Sequence, residues 1–200
     1  MSIISIFLMI LGFSFLLGWI IFYSLLLYSA KHQESSIEYT IFLLISSILG
    51  IIFTLYNIST TLIPFYGSFI GSTFLDICFD IISILSFVFL LLYAIQNRDH
   101  FENYLFICAV LFLISSTYFV IFSYLYTLLF ISGVNLVNVL LLLFINTMIS
   151  GILEICALIF LIIHGFKNED RAMSIAGFLL ASLIGISIIL GIISVIFQIP

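Results

Sequence analysis

The residues in this chain best equipped for chemistry are three acids set within apolar runs: Asp76, Asp80 and Glu154. No Lys, Arg or His accompanies them at that depth. An ionisable side chain at mid-helix in a bilayer costs at least about 2.5–3.5 kcal/mol on insertion scales, so it normally faces a bundle interior or water. Without a basic partner, each carboxyl must keep its proton or hold an exogenous cation. Asp76 and Asp80 are four residues apart and share one face of a helix. Ser72, Thr73, Ser83 and Ser86 extend that stripe. Glu154 continues a looser stripe through Asn138, Asn146 and Ser150, while Ser46, Gly50, Thr54, Asn57 and Thr61 fall on one side of another run.

Where these stripes meet, a polar seam is expected. It would form a proton or small-cation site around Asp80 and Glu154, with Asp76 toward its outer mouth. The competing expectation is structural: protonated carboxyls bond Ser, Thr and Asn on neighbouring helices and fix which helix packs where, each bond contributing about 0.6–2 kcal/mol. A third reading places Asp76 at the outer interface with no role.

The elements that must position these acids are transmembrane helices. The chain is 65% hydrophobic and 6% charged, with a mean hydropathy of +1.48, where a soluble chain carries about a quarter charged residues. Its apolar runs are continuous rather than alternating over about 10 residues, so helices, not barrel strands, satisfy the backbone in lipid. Six spans follow, at 3–29, 39–63, 69–95, 103–130, 135–165 and 172–198, each longer than the ~20 residues that cross the hydrocarbon. Ser132-Gly133-Val134-Asn135 is a modest break before the fifth; Pro64 and Gly67 mark a clearer turn before the third. No Pro/Gly/Ser-rich linker divides the chain, and the expected fold is all-α: a single polytopic transmembrane helical bundle over 1–200, built as three hairpins. Met1-Ser2-Ile3-Ile4 lacks a basic n-region and the first apolar run reaches Ala30, too long for a signal-peptide core, so it is expected to remain as a span.

Three charged loops close the hairpins: 31–38, 96–102 and 167–171. They contain all four basic residues, Lys31, Arg98, Lys167 and Arg171. The positive-inside rule then places these loops on the cytoplasmic side, or its organellar equivalent, with both termini outside. The loop sequences resemble one another, Gln96-Asn97-Arg98-Asp99-His100 against Lys167-Asn168-Glu169-Asp170-Arg171 most closely. That similarity admits triplication of a hairpin, or convergence of inner turns on the same polar residues.

Other groups carry weaker signals. Gly177-x-x-x-Ala181-x-x-x-Gly185 forms a small-residue ridge suited to close helix packing, and Ser14 and Gly18 a shorter one. Cys78, Cys108 and Cys156 lie inside spans with no C-x-x-C spacing and read as small buried apolar groups. His32, His100 and His164 sit in separate hairpins, so no metal or cofactor is expected. Tyr118, Tyr124, Tyr126 and Tyr66 read as an outer aromatic belt, and Trp19 as a packing residue. Asp76-x-x-x-Asp80 has the spacing of metal-binding aspartates in some membrane transferases, but the basic residues that hold phosphate there are missing. No H-E-x-x-H, P-loop or G-x-S-x-G occurs, so catalysis is not expected. No loop holds the four or more basic residues of an anionic-lipid site, and no nucleic-acid footprint is present. The leading expectation is a non-catalytic membrane subunit, in contact with lipid and packing against other membrane proteins or itself. The alternative is a small transporter or channel moving protons, a cation or a small solute along the acidic seam.

Overall fold

The computed structural model describes residues 3–32, 37–62, 69–96, 103–133 and 136–196. Arg98, His100, Asn135 and the turn containing Pro64, Tyr66 and Gly67 lie outside these, as do the side chains of Lys31, His32, Thr61, Ser72, Thr73 and Asn138. Six helices account for nearly all of the described chain: α1 (Ile3–His32), α2 (Ile37–Leu62), α3 (Phe69–Gln96), α4 (Tyr104–Ile131), α5 (Leu136–Lys167) and α6 (Arg171–Ile196). Their ends agree with the hydropathy spans to within three residues. Each is long and apolar enough to cross a membrane. The protein is thus a polytopic α-helical membrane protein, and Ile, Leu and Phe side chains such as Ile121, Ile152, Phe178 and Ile189 stand exposed where lipid would solvate them.

The helices close into a ring. Each packs on its neighbours in sequence, α6 returns to α1, and among the described residues no helix crosses the middle. Every junction is tight for an identifiable reason. α1 meets α2 where the Tyr23 ring occupies the space a side chain at Gly50 would fill. α2 meets α3 through Ser86 Oγ, which donates to the Ser46 carbonyl at 2.9 Å, and through the stacked rings of Tyr56 and Phe79. Phe87 and Phe112 stack at 5.0 Å between α3 and α4. Tyr126 donates to the Leu142 carbonyl between α4 and α5. Gly177 lets α6 approach the Leu158 carbonyl and Ile162 of α5. Gly18 receives Leu183 between α1 and α6. Small residues at such crossings are how membrane helices gain contact when lipid is as apolar as their own surface.

The α5–α6 turn is described completely. Glu169 takes a left-handed backbone conformation (φ 57°) just past the end of α5. Asp170 then caps α6, its Oδ1 accepting from the Met173 amide at 3.1 Å. Its other carboxyl oxygen accepts from Ser29 of α1, so one acid caps a helix and helps close the ring. Gly165 is required here, because a Cβ would lie 2.7–2.8 Å from the Ser174 nitrogen and the Asp170 carbonyl.

The buried core is concentrated in the half of the bundle nearest the charged loops: Phe22, Leu26, Leu90, Tyr93, Cys108, Leu158, Leu161 and Met173 are all buried there. Toward the other end the six helices surround a cavity. The bundle is a cup, packed at its base.

Candidate functional site

The cavity has a volume of about 610 Å³ and is lined by side chains from all six helices. Its base is aromatic. Trp19 stacks on Tyr23 at 5.7 Å and meets Phe87 and Phe112 edge-on at 6.4 and 6.1 Å. These four rings line the cavity and lie over the packed core. Burying them together holds the rings rigidly, since edge-to-face and offset pairs add about 0.5–1.5 kcal/mol beyond the area they bury.

Two acids look into this volume from different hairpins. Glu154 of α5 accepts at Oε1 from Ser115 of α4 at 3.2 Å and from Ser150, one turn earlier, at 3.4 Å. The two hydroxyls are themselves 2.8 Å apart. Asp80 of α3 accepts at Oδ2 from the Tyr124 hydroxyl of α4 at 2.9 Å. The second oxygen of each carboxyl has no hydrogen-bond partner among the described residues. Neither is sealed in the protein, unlike the unsatisfied buried atoms Ser46 Oγ and Asn146 Oδ1. Each acid is therefore held by one oxygen and open at the other.

Hydroxyls of α3 and α4 lie close to both acids. Ser83, close to one turn from Asp80, is 3.3 Å from Ser116 of α4. Ser115, next to it in sequence, reaches Glu154. Much of the remaining polarity is turned back on its own helix: Thr54 donates to the Gly50 carbonyl and Ser187 to the Leu183 carbonyl, both lining the cavity. Among the described residues no Lys, Arg or His lines it, and no three His, Cys, Asp or Glu side chains group as a metal ion would require.

Asp76 does not line the cavity. It is exposed and accepts from Tyr56 of α2 at 2.7 Å. Although Asp76 and Asp80 share a helix face, they bond opposite neighbours, α2 and α4. The two stripes divide in the same way: Ser46 and Ser86 are buried at the α2–α3 contact, where the Ser86 hydroxyl donates to the Ser46 carbonyl, while Thr54, Asn57 and Ser83 line the cavity. Of the outer tyrosines, Tyr124 holds Asp80 and Tyr126 is buried against α5, which a lipid-facing belt does not describe. The small-residue ridge is used within the chain at Gly177 and, at Gly185, meets nothing within 4 Å. Cys108 is buried, and Cys78 and Cys156 partly so. His164 pairs with Asn168 at the end of α5.

Sequence reasoning missed the aromatic base. Its available signal was the spacing Phe15, Trp19, Tyr23 on α1, which places three rings on one helical face.

No family model, curated protein or solved structure matches this chain. The class is set by the fold, an α-helical integral membrane protein, and the function must be argued from the cavity.

Proposed function

We propose that this protein is a small, non-enzymatic membrane carrier whose cup is the binding site for a solute. The observation that carries this reading is that Asp80 and Glu154, from separate hairpins, line one cavity and each keep an oxygen unbonded. A subunit that only packs against others gains nothing from a half-satisfied carboxyl in its interior, because such a group is costly unless fully paired. Apolar walls with a few convergent polar groups are also the usual form of a small-molecule site, typically of about 300–1,000 Å³. The packed base lies beside the loops that contain Lys167 and Arg171. By the positive-inside rule the cup therefore opens away from the cytoplasmic side, and the solute enters from outside.

The test is reactivity. In a background where Cys78, Cys108 and Cys156 are replaced by Ala, Ser116→Cys places a thiol in the cavity wall and Leu161→Cys one in the packed core. Methanethiosulfonates react with thiolates, which form in water and not in a dry interior. Hydroxyethyl methanethiosulfonate, a small neutral reagent, should label the cavity thiol much faster than the core thiol, because only the wetted thiol forms thiolate. Equal, slow labelling of both would mean a dry bundle and would return the acids to a packing role.

A further inference from the structure

We infer that the cup binds a monovalent organic cation: an amine or quaternary ammonium group whose apolar body rests on the aromatic base while Glu154 supplies the counter-charge. This inference rests on the carrier reading and names the solute's class.

Charge selects the class first. Two acids and no base face the cavity among the described residues. An anion would meet only acceptors and apolar surface there, with no cationic donor. A cation instead lets one carboxylate ionise at mid-membrane depth while the other keeps its proton, leaving the site neutral.

Ligand number then separates organic from inorganic cations. A bare metal ion needs a cage of oxygens, six to eight for calcium and near-octahedral geometry for magnesium. Here only two carboxylates line the cavity among the described residues, and no three His, Cys, Asp or Glu side chains come together among them. The free carboxyl oxygens of Asp80 and Glu154 do not make a cage. An organic ammonium asks for less: a quaternary group spreads its charge over carbon and is weakly hydrated, and a protonated amine needs at most three acceptors rather than a closed cage.

The base supplies what such an ion prefers. Trp19, partly exposed, lines the wall with the buried rings of Tyr23, Phe87 and Phe112 packed around it, and a cation over an aromatic face gains about 0.5–2 kcal/mol, most when desolvated and most over Trp. A carboxylate beside several aromatic rings is the pairing that recognises quaternary ammonium groups.

The chain contains one tryptophan, and it lines the cup, so the site carries its own reporter. Purified protein in detergent is titrated with benzyltrimethylammonium, its neutral carbon isostere neopentylbenzene, and benzenesulfonate, following Trp19 emission. The cation should give a saturable change, with affinity at least about tenfold above the isostere, one pK-sized step of 1.4 kcal/mol. Benzenesulfonate should give none. Glu154→Gln keeps an amide oxygen for Ser115 and Ser150, so it preserves the local bonds while removing the charge. It should weaken the cation about tenfold or more and leave the isostere unchanged. Equal binding of cation and isostere by the wild type, or tighter binding of the sulfonate, would overturn the inference without needing any variant. If the Ser116→Cys thiol labels rapidly while the cation shows no preference, the class is wrong and the cup stands. If labelling also fails, the carrier reading falls with it.

Discussion

Gly50→Ala adds a single methyl group, and the structure says where it must go. An ideal Cβ at Gly50 would lie 2.2 Å from Cε1 and Cζ of Tyr23 and 2.5 Å from Cδ1. Carbon atoms pack at about 3.5–4.0 Å, so the ring must retreat by more than about 1 Å. Tyr23 is 2% exposed, stacked on Trp19 at 5.7 Å and set edge-on to Phe22 at 5.2 Å. It also lines the cavity. Overpacking of this kind costs about 1–3 kcal/mol, against a helix-propensity gain for Gly→Ala of about 1 kcal/mol, for a net loss of up to about 2 kcal/mol. Gly185→Ala is the matched control: nothing lies within 4 Å, so only the propensity gain remains. Both variants are unfolded by dodecyl sulfate in mixed micelles, with loss of helical circular dichroism giving the free energy. Pairing Gly50→Ala with Tyr23→Leu should recover part of the loss, a coupling of about 0.5–3 kcal/mol between touching groups. A Gly50→Ala protein as stable as the Gly185→Ala protein, or zero coupling to Tyr23, would refute the packing argument.

The remaining expectations use the same unfolding assay or simple topology mapping. Gly18→Ala should cost less than Gly50→Ala, although its Cβ would approach Leu183 to 2.3 Å, because the atom met is the tip of a flexible side chain rather than a ring. Asp170→Ala removes the α6 cap and the acceptor for Ser29 together, and should destabilise by about 1–2 kcal/mol, with Asp170→Asn losing less. Tyr126→Phe deletes the donor to the Leu142 carbonyl and should cost about 0.6–2 kcal/mol, the range for hydrogen bonds between membrane helices. Protease-cleavable tags at either end of the chain should be cut in intact spheroplasts, and a tag inserted between Asn168 and Glu169 should be protected; the reverse pattern would invert the cup.

Hydropathy located the helices because length and apolarity alone decide whether a segment can span lipid, and Pro, Gly and charge mark the breaks. It located Asp80 and Glu154 because a charge in such a run has to be accounted for. The order of helices around the ring was not legible. In a bilayer the outward face is as apolar as the inward one, so Phe112, which is buried at the cavity, and Phe178, which stands exposed, look alike in sequence. Asp76 and Asp80 show the same limit on a smaller scale: their spacing put them on one face, but whether that face looked at α2, α4 or both depended on neighbours no pattern encodes. Gly50 was read as part of a polar stripe, whereas its role is the absence of a side chain beside Tyr23.

The ring also dictates an order of assembly. Five of its six junctions join helices consecutive in the chain, and those can form as each hairpin enters the membrane, with short loops and little closure entropy. The sixth, α6 against α1, spans almost the entire sequence and depends on Gly18 receiving Leu183 and Ser29 reaching Asp170. Until that last seam zips, α1 to α6 form an open arc, and the interior lined by Asp80 and Glu154 is unsealed along the gap between α6 and α1. Maturation of the protein is in that sense a single late event, and lesions at Gly18, Ser29 or Asp170 should strand chains that are fully inserted and fully helical yet still unclosed.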